Sequence, residues 1–310
     1  MLAVRLDNLG DVLMASPALA AIRESLPQAR LTLLGSASGV ALAAHLPMLD
    51  DAIVFRAPWV KQPEAPDDID PGRAEGRMIE ELAARRFDAA IVFTTCTQSA
   101  LPAALLCRLA GIPLRLAHGR ENPYALLTDW VHDADVIETG MRHEVARQLA
   151  LVQSIGFRTA DTRLRFATDA RARQSLHAEL RRAGLDPARR YFVVHPGATA
   201  ASRRYPAELF GLAADLISQR SGRAAVFSGG AGEQPLIDSA RRAMSGPSWS
   251  LGGRLDLGQL GALIDGAAVL VANNSGPVHI AAALGTPVVD LYAPTNPHHT
   301  PSRVPARVLN

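Results

Sequence analysis

Short apolar runs alternate with helical segments along the whole chain, and this regular alternation leaves few folds open. Leu2–Leu6 reads as a short buried strand, followed over Asp11–Leu26 by a helix that Pro17 either kinks or splits. Leu31–Leu34, Ala52–Phe55 and Ala89–Phe93 read as further strands, with helices near Arg77–Arg86, Ser99–Leu109 and His143–Ile155. Polar residues from Thr159 to Arg173 form a connection, Leu176–Ala183 a short basic helix and Asp186–Arg190 a turn. The pattern then restarts. Strands at Tyr191–Val194, Ala224–Phe227, Ala268–Val271 and Val288–Tyr292 alternate with helices at Pro206–Ile217, Gln234–Met244, Leu257–Ile264 and after Gly276. Alternation of this kind implies an α/β protein whose parallel sheets are covered by helices on both faces. Two doubly wound halves are expected, over residues 1–165 and 189–310, with a linker at 166–188 and a cleft between the halves. In such sheets ligands sit beyond the carboxyl ends of the strands.

The chain has 310 residues, 48% of them apolar and 20% charged, which suits two globular domains with ample core. A formal charge of +2 argues against a nucleic-acid partner, and Lys61 is the single lysine, so a phosphate-binding cation has to be an arginine. Cys96 and Cys107 have no metal-ligand spacing and read as reduced core thiols. Arg5, Asp7 and Asp11 interrupt any leader-like apolar run, and no stretch reaches the ~18 consecutive apolar residues of a spanning helix, so a cytoplasmic protein is expected. Ala57–Gly72, with Pro58, Pro63, Pro66 and Pro71, reads as a loop and a candidate flap over a cleft.

Four segments suggest chemistry. In the stretch from Asn273 to Pro297, a polar turn opens a small-residue helix, and unpaired N–H groups and the macrodipole at a helix start favour phosphate. Asn274 or Ser275 caps that helix, Gly276 permits close approach, Pro277 fits the first turn, and His279 can donate to a phosphate oxygen. The loop HPGATAASRRYP, His195 to Pro206, offers the hydroxyls of Thr199 and Ser202 and the guanidinium groups of Arg203 and Arg204, a set suited to a diphosphate. In SGGAGE, Ser228 to Glu233, the acid can accept from ribose hydroxyls. In RLDNLGDVLMASPAL, Arg5 to Leu19, Asp7 and Asp11 both sit at the switch from strand to helix, where a carboxylate can deprotonate a hydroxyl or simply cap the helix.

Taken in order, and with QSALPAALLCRLAGIPLRLAH at Gln98–His118, these segments resemble the lipopolysaccharide heptosyltransferases of glycosyltransferase family 9 over nearly the whole chain. The resemblance implies a GT-B fold of two Rossmann-like domains, the first binding the acceptor and the second the sugar nucleotide. It implies inverting, metal-independent transfer of a heptose from ADP-heptose to a lipid A–core or other glycan acceptor, with no cofactor and with peripheral contact at the inner face of the inner membrane. Carried over by motif, Asp11 is the general base, Arg203 the diphosphate cation and Glu233 the ribose acid. Ser275 and Gly276 form the diphosphate turn, His279 adjoins it, and Leu255 lies against adenine. Acceptor contacts are expected from Arg56, Lys61, Gln98, Arg120 and Arg142, which suit an anionic phosphosugar.

Two features depart from the family pattern. Many relatives have Asp where this chain has Asn274, which leaves a contact to the sugar hydroxyls altered. The chain also ends at Asn310, soon after the last expected strand, where GT-B enzymes commonly send a helix back across the N-terminal domain, so it is expected to be truncated or compact. No Asp-x-Asp metal motif is present; Asp67 and Asp68 are adjacent in the Pro-rich loop. Competing readings are a non-hydrolysing sugar-nucleotide epimerase and a catalytically silent sugar-nucleotide-binding protein. A dehydrogenase is disfavoured because the first strand–turn lacks G-x-G-x-x-G.

Overall fold

Strands rich in Val, Ile, Leu and Ala, with no polar alternation, are stable only where both faces of a sheet are covered. In the computed structural model, which describes residues 1–60, 72–135, 140–292 and 297–309, such strands form two parallel sheets. The chain divides into compact units at Met1–Thr162 and Arg163–Asn310.

The first unit contains β1 (Leu2–Arg5), α1 (Leu9–Ser25), β2 (Thr32–Gly35), α2 (Ala37–Val40), β3 (Asp51–Val54) and α3 (Arg73–Arg85). These are followed by β4 (Ala89–Val92), α4 (Leu101–Leu109), β5 (Leu114–Gly119), β6 (Asp129–His132) and α5 (Glu144–Gln153). Its sheet order is β3-β2-β1-β4-β5-β6. α1 packs on α5, whereas α3 and α4 cover the opposite face with Met78, Leu82, Ala103 and Leu106.

The second unit contains α6 (Ala170–Arg182), β7 (Tyr191–His195), α7 (Ala207–Ser221), β8 (Ala224–Phe227), α8 (Gln234–Arg242) and β9 (Ser248–Ser250). It continues through α9 (Leu257–Asp265), β10 (Leu270–Asn273), α10 (Gly276–Leu284), β11 (Val288–Leu291) and β12 (Ala306–Leu309). Here the order is β12-β11-β10-β7-β8-β9. Counted from its own first strand, this is the winding of the first unit repeated. Each sheet therefore reverses direction between two neighbours, β1 and β4 in one and β7 and β10 in the other, and such a reversal opens a crevice at the strand ends.

Pro17 neither splits α1 nor ends it. The carbonyl of Leu13, which would have bonded the missing N–H, accepts instead from the Ser16 hydroxyl at 2.6 Å, so the helix keeps a partner at the break. The stretch expected as a linker, 166–188, belongs to the second unit and holds α6, which begins six residues earlier than the basic segment suggests and packs on α9. Strands β5, β6, β9 and β12 are additional to those expected, and β12 extends the second sheet beyond β11. Both cysteines are buried and free, and burial pushes the Cys107 thiol up to about 12. Of the Pro-rich segment, residues 61–71 lie outside the described residues, and with them Lys61, Asp67 and Asp68. No helix among the described residues is long and apolar enough to cross a membrane.

α7 and α8 meet at Gly211. A Cβ there would fall 1.9 Å from the Ala240 carbonyl oxygen, a backbone atom that cannot step aside. Gly211→Ala is accordingly expected to cost about 1–3 kcal/mol by overpacking. A lowered denaturation midpoint with an unchanged slope reports it, and a wild-type midpoint would contradict the close approach.

Candidate active site

The end of β1 carries Arg5 into the interior, where the side chain is 1% exposed. Three carboxylates surround it: Asp7 lies 3.0 Å from its Nε, and Glu144 and Asp11 lie 3.0 Å and 3.3 Å from its Nη2. Burial opposes the charge, but Asp7, Glu144 and Asp11 together hold the guanidinium more firmly protonated than in water. Glu144 is sealed at 1% side-chain exposure and accepts from Gln148 Nε2 at 2.6 Å, so it serves the interior. Asp11 is the most open of the three, at 16%.

Asp11 is also fixed in place. It occupies the third position of α1, where its Oδ2 accepts from the Asn8 N–H at 3.2 Å in a capping box while Oδ1 faces Arg5. Of the two alternatives for this residue, base or cap, the contacts show the cap, with the second oxygen on Arg5. Asp7 is held from across the sheet reversal: Gln98, just past β4, donates from Nε2 to Asp7 Oδ1 at 2.5 Å and accepts from the Thr95 N–H at 3.1 Å. Asp7 and Gln98 line a cavity of about 330 Å³ bordered by Trp59, Phe93 and Pro102.

The residues named as acceptor contacts have different fates. Arg56 is exposed, and Lys61 lies outside the described residues. Gln98 spends both ends of its amide inside the protein, as above. Arg142 makes a two-pronged pair with Asp135, Nε at 3.0 Å and Nη2 at 2.8 Å, and Arg120 donates to the Asp135 carbonyl at 2.5 Å. Behind them the buried Arg147 reaches Asp133 at 2.7 Å and the Thr94 carbonyl at 2.5 Å. This network, absent from the sequence reading, converts two expected ligand contacts into groups with protein partners.

In the second unit the reversal between β7 and β10 is bridged by Asn273, which is fully buried. Its Nδ2 donates to the Pro196 carbonyl at 2.8 Å and its Oδ1 accepts from the Tyr205 N–H at 3.0 Å. One amide therefore pins both ends of the loop that carries Thr199 and Arg203. The two arginines of that loop separate in role. Arg204 Nε donates to the Ala198 carbonyl at 2.8 Å, whereas Arg203 is exposed at the end of a 3-10 turn over Ala201–Arg203. Thr199 is exposed as well.

Glu233 ends a second 3-10 turn and accepts from the Gly230 N–H at 2.8 Å. Its carboxylate lies over Gly197, where a Cβ would collide with it, and 3.7 Å from His195 Nε2. Burial lowers the His195 pKa and Glu233 opposes this only in part, while Nδ1 meets the Ser228 hydroxyl at 3.1 Å. At the start of α10, Ser275 holds the cap position but does not cap: its hydroxyl donates to the Asn273 carbonyl at 3.0 Å. Asn274 does not cap either, since its Nδ2 turns toward Asp290 and the His299 carbonyl. Neither Ser275 nor Asn274 thus supplies a side-chain acceptor to the first turn, a condition that favours an anion in that place. Gly276 opens this helix, His279 is buried on its first turn, and Leu255 is half-buried just before α9. A cavity of about 500 Å³ in this unit is lined by Arg203 and Asn273 together with Tyr205, Phe210, Val289 and Leu309, but by neither Glu233 nor Ser275.

Replacing Asn273 by Ala would strand a buried donor and a buried acceptor, at about 1–3 kcal/mol each. Faster amide exchange at Tyr205, ahead of global unfolding, is the expected signature. Unchanged protection there would show that the loop is held by something else.

A sequence profile for "Glycosyltransferase family 9 (heptosyltransferase)" matches residues 76–308. Lipopolysaccharide heptosyltransferase 3 of Escherichia coli (strain K12) is 25% identical over 291 residues, spanning 93% of this chain and 80% of that protein. The structure of Escherichia coli ADP-heptose lipopolysaccharide heptosyltransferase II is similar at a TM-score of 0.78 and 25% identity, over 99% of this chain and 89% of the other. A family 9 glycosyltransferase from Veillonella parvula reaches 0.80 at 23% identity, over 99% and 86%. The two repeated Rossmann-like sheets are those of the GT-B fold. On the profile match over most of its length, the chain belongs to glycosyltransferase family 9, the heptosyltransferases, and is a glycosyltransferase.

Proposed function

We propose that the protein transfers a heptose from ADP-heptose, with inversion and without a metal, to a lipopolysaccharide core or related cell-surface glycan. The observations that carry this reading are a fixed, partly open carboxylate in the first unit and, in the second, a helix start that neither Ser275 nor Asn274 caps. Inverting transfer requires both functions: a base for the acceptor hydroxyl, and stabilisation of the departing diphosphate. On this reading the acceptor oxygen attacks the anomeric carbon and its proton passes to Asp11. The bond from that carbon to the diphosphate breaks and its electron pair leaves with ADP.

The donor belongs to the second unit. The Arg203 guanidinium and the first turn of α10, with Ser275, Gly276 and His279, receive the diphosphate, and Thr199 supplies a hydroxyl. Glu233 accepts from the ribose, Leu255 packs on the adenine, and Asn274 faces the sugar. The acceptor belongs to the first unit, where Asp7 is the ordered neighbour of Asp11 and Arg56 is an exposed cation. An acceptor carried on a lipid brings the reaction to a membrane surface, which calls for peripheral contact only.

Asp11→Asn keeps the shape of the cap and removes the base. Acceptor-dependent ADP release should fall by about 10²–10⁴-fold, with ADP-heptose affinity within about twofold of wild type in calorimetry. Retained turnover would remove Asp11 from the chemistry. Arg203→Ala should weaken ADP binding by about 1.5–3 kcal/mol, the contribution of a charge-assisted bond. Equal affinity in the two proteins would exclude that contact.

A further inference from the structure

Asp290, in the middle of β11, is fully buried, and no described residue offers a hydrogen bond to its Oδ1. Burial raises its pKa to about 7, so keeping a carboxyl group at this point in the fold is costly. Its other oxygen points at the turn between β10 and α10, 3.5 Å from Asn274 Nδ2. The same nitrogen lies 3.4 Å from the His299 carbonyl oxygen. Backbone carbonyls only accept, so the face of the Asn274 amide turned toward them must be its NH₂. Asn274 Oδ1 then faces the other way, and no described residue donates to it; the residue as a whole is 8% exposed. The Asn274 backbone N–H is tied to the Leu291 carbonyl at 3.3 Å, which holds the turn against the strand that carries Asp290.

We propose that Asp290 is a positioning residue for the donor sugar: with the His299 carbonyl it turns the Asn274 amide nitrogen inward, so that Asn274 Oδ1 stands outward as a fixed acceptor for a sugar hydroxyl. The buried carboxylate also polarises the amide, because a hydrogen bond accepted from the NH₂ side makes the oxygen at the far end a better acceptor. The chain thus keeps an acid at this turn, placed one strand away and acting through an amide. An isolated surface asparagine can present either its donor or its acceptor outward, and this one is restricted to the acceptor. The inference rests on the assignment of the α10 turn to the sugar-nucleotide donor.

The test separates the sugar from the nucleotide. In the full chain at pH 8, Asp290→Leu should raise the KM for ADP-heptose at least about fivefold while leaving the affinity for ADP alone within about twofold. Asp290→Asn keeps the volume and an acceptor oxygen and should fall between the two. The exchange N274D/D290N leaves a carboxylate oxygen against the His299 carbonyl, so it should not recover a wild-type donor KM, and full recovery would contradict the amide orientation; N274D alone also sets two carboxyl groups side by side and should be worse. A merely structural role would lower ADP affinity together with donor affinity, since both use the same helix start, and that result overturns the proposal. So does a donor KM unchanged in Asp290→Leu with the thermal transition intact. If the wild-type chain binds ADP but not ADP-heptose, or binds neither, the donor assignment fails and this inference fails with it.

Discussion

Where a parallel sheet reverses its winding, two adjacent strands send their chains to opposite faces, and the backbone ladder ends with nothing to hold the parting segments together. Asp7, Asp11 and Gln98 in one unit, and Arg203 and Ser275 in the other, follow the strands at such a point. In the first unit the gap between β1 and β4 is closed by the amide of Gln98 on the carboxylate of Asp7; in the second, the gap between β7 and β10 is closed by Asn273. A side-chain amide suits the task because it offers a donor and an acceptor at once, satisfying the two kinds of backbone or carboxylate group that a diverging chain leaves open.

The buried guanidinium of Arg5 adds an electrostatic constraint. Removing a charge from water costs several kcal/mol even after relaxation, and pairing repays it only with good geometry. Here the repayment comes from three acids on two elements, two of them at the β1–α1 junction and one on α5. The cluster therefore ties α5 to the end of β1, and the price of disturbing any one acid is shared by the others.

Much of the architecture was legible in the sequence because parallel strands buried on both faces leave uninterrupted apolar runs, as at Leu2–Arg5 and Tyr191–His195. Three of the four edge strands leave no such mark; the fourth, β3, is the one legible at Ala52–Phe55. Asp129–His132, Ser248–Ser250 and Ala306–Leu309 are short and half-buried at most, and only pairing with a neighbour defines them. The site was legible as local motifs, since caps and tight turns are written within a few residues. What escaped was long-range. Asn273 looks like the lesser neighbour of Asn274, and only the fold shows that it spans 77 residues to reach Pro196. Gln98, Arg120 and Arg142 read as free polar groups because Asp7, Asp133 and Asp135 are remote in sequence or sit in unmarked loops. Glu144 and Asp290 give no local signal at all, each being one acid in an otherwise ordinary helix or strand.

α1 is buried without interruption from Val12 to Ile22, so it has no solvent face along most of its length. A helix held on all sides cannot slide or tilt without repacking its whole unit, and Asp11 stands on its first turn. The acid is therefore a fixed point of reference in the first unit, and under the proposed mechanism the acceptor must adjust its own pose to it. Variation at Leu13, Leu19 or Ala21, residues that touch no ligand on the present reading, would be felt as altered turnover, because the interior of this helix and the location of its acid are one mechanical object.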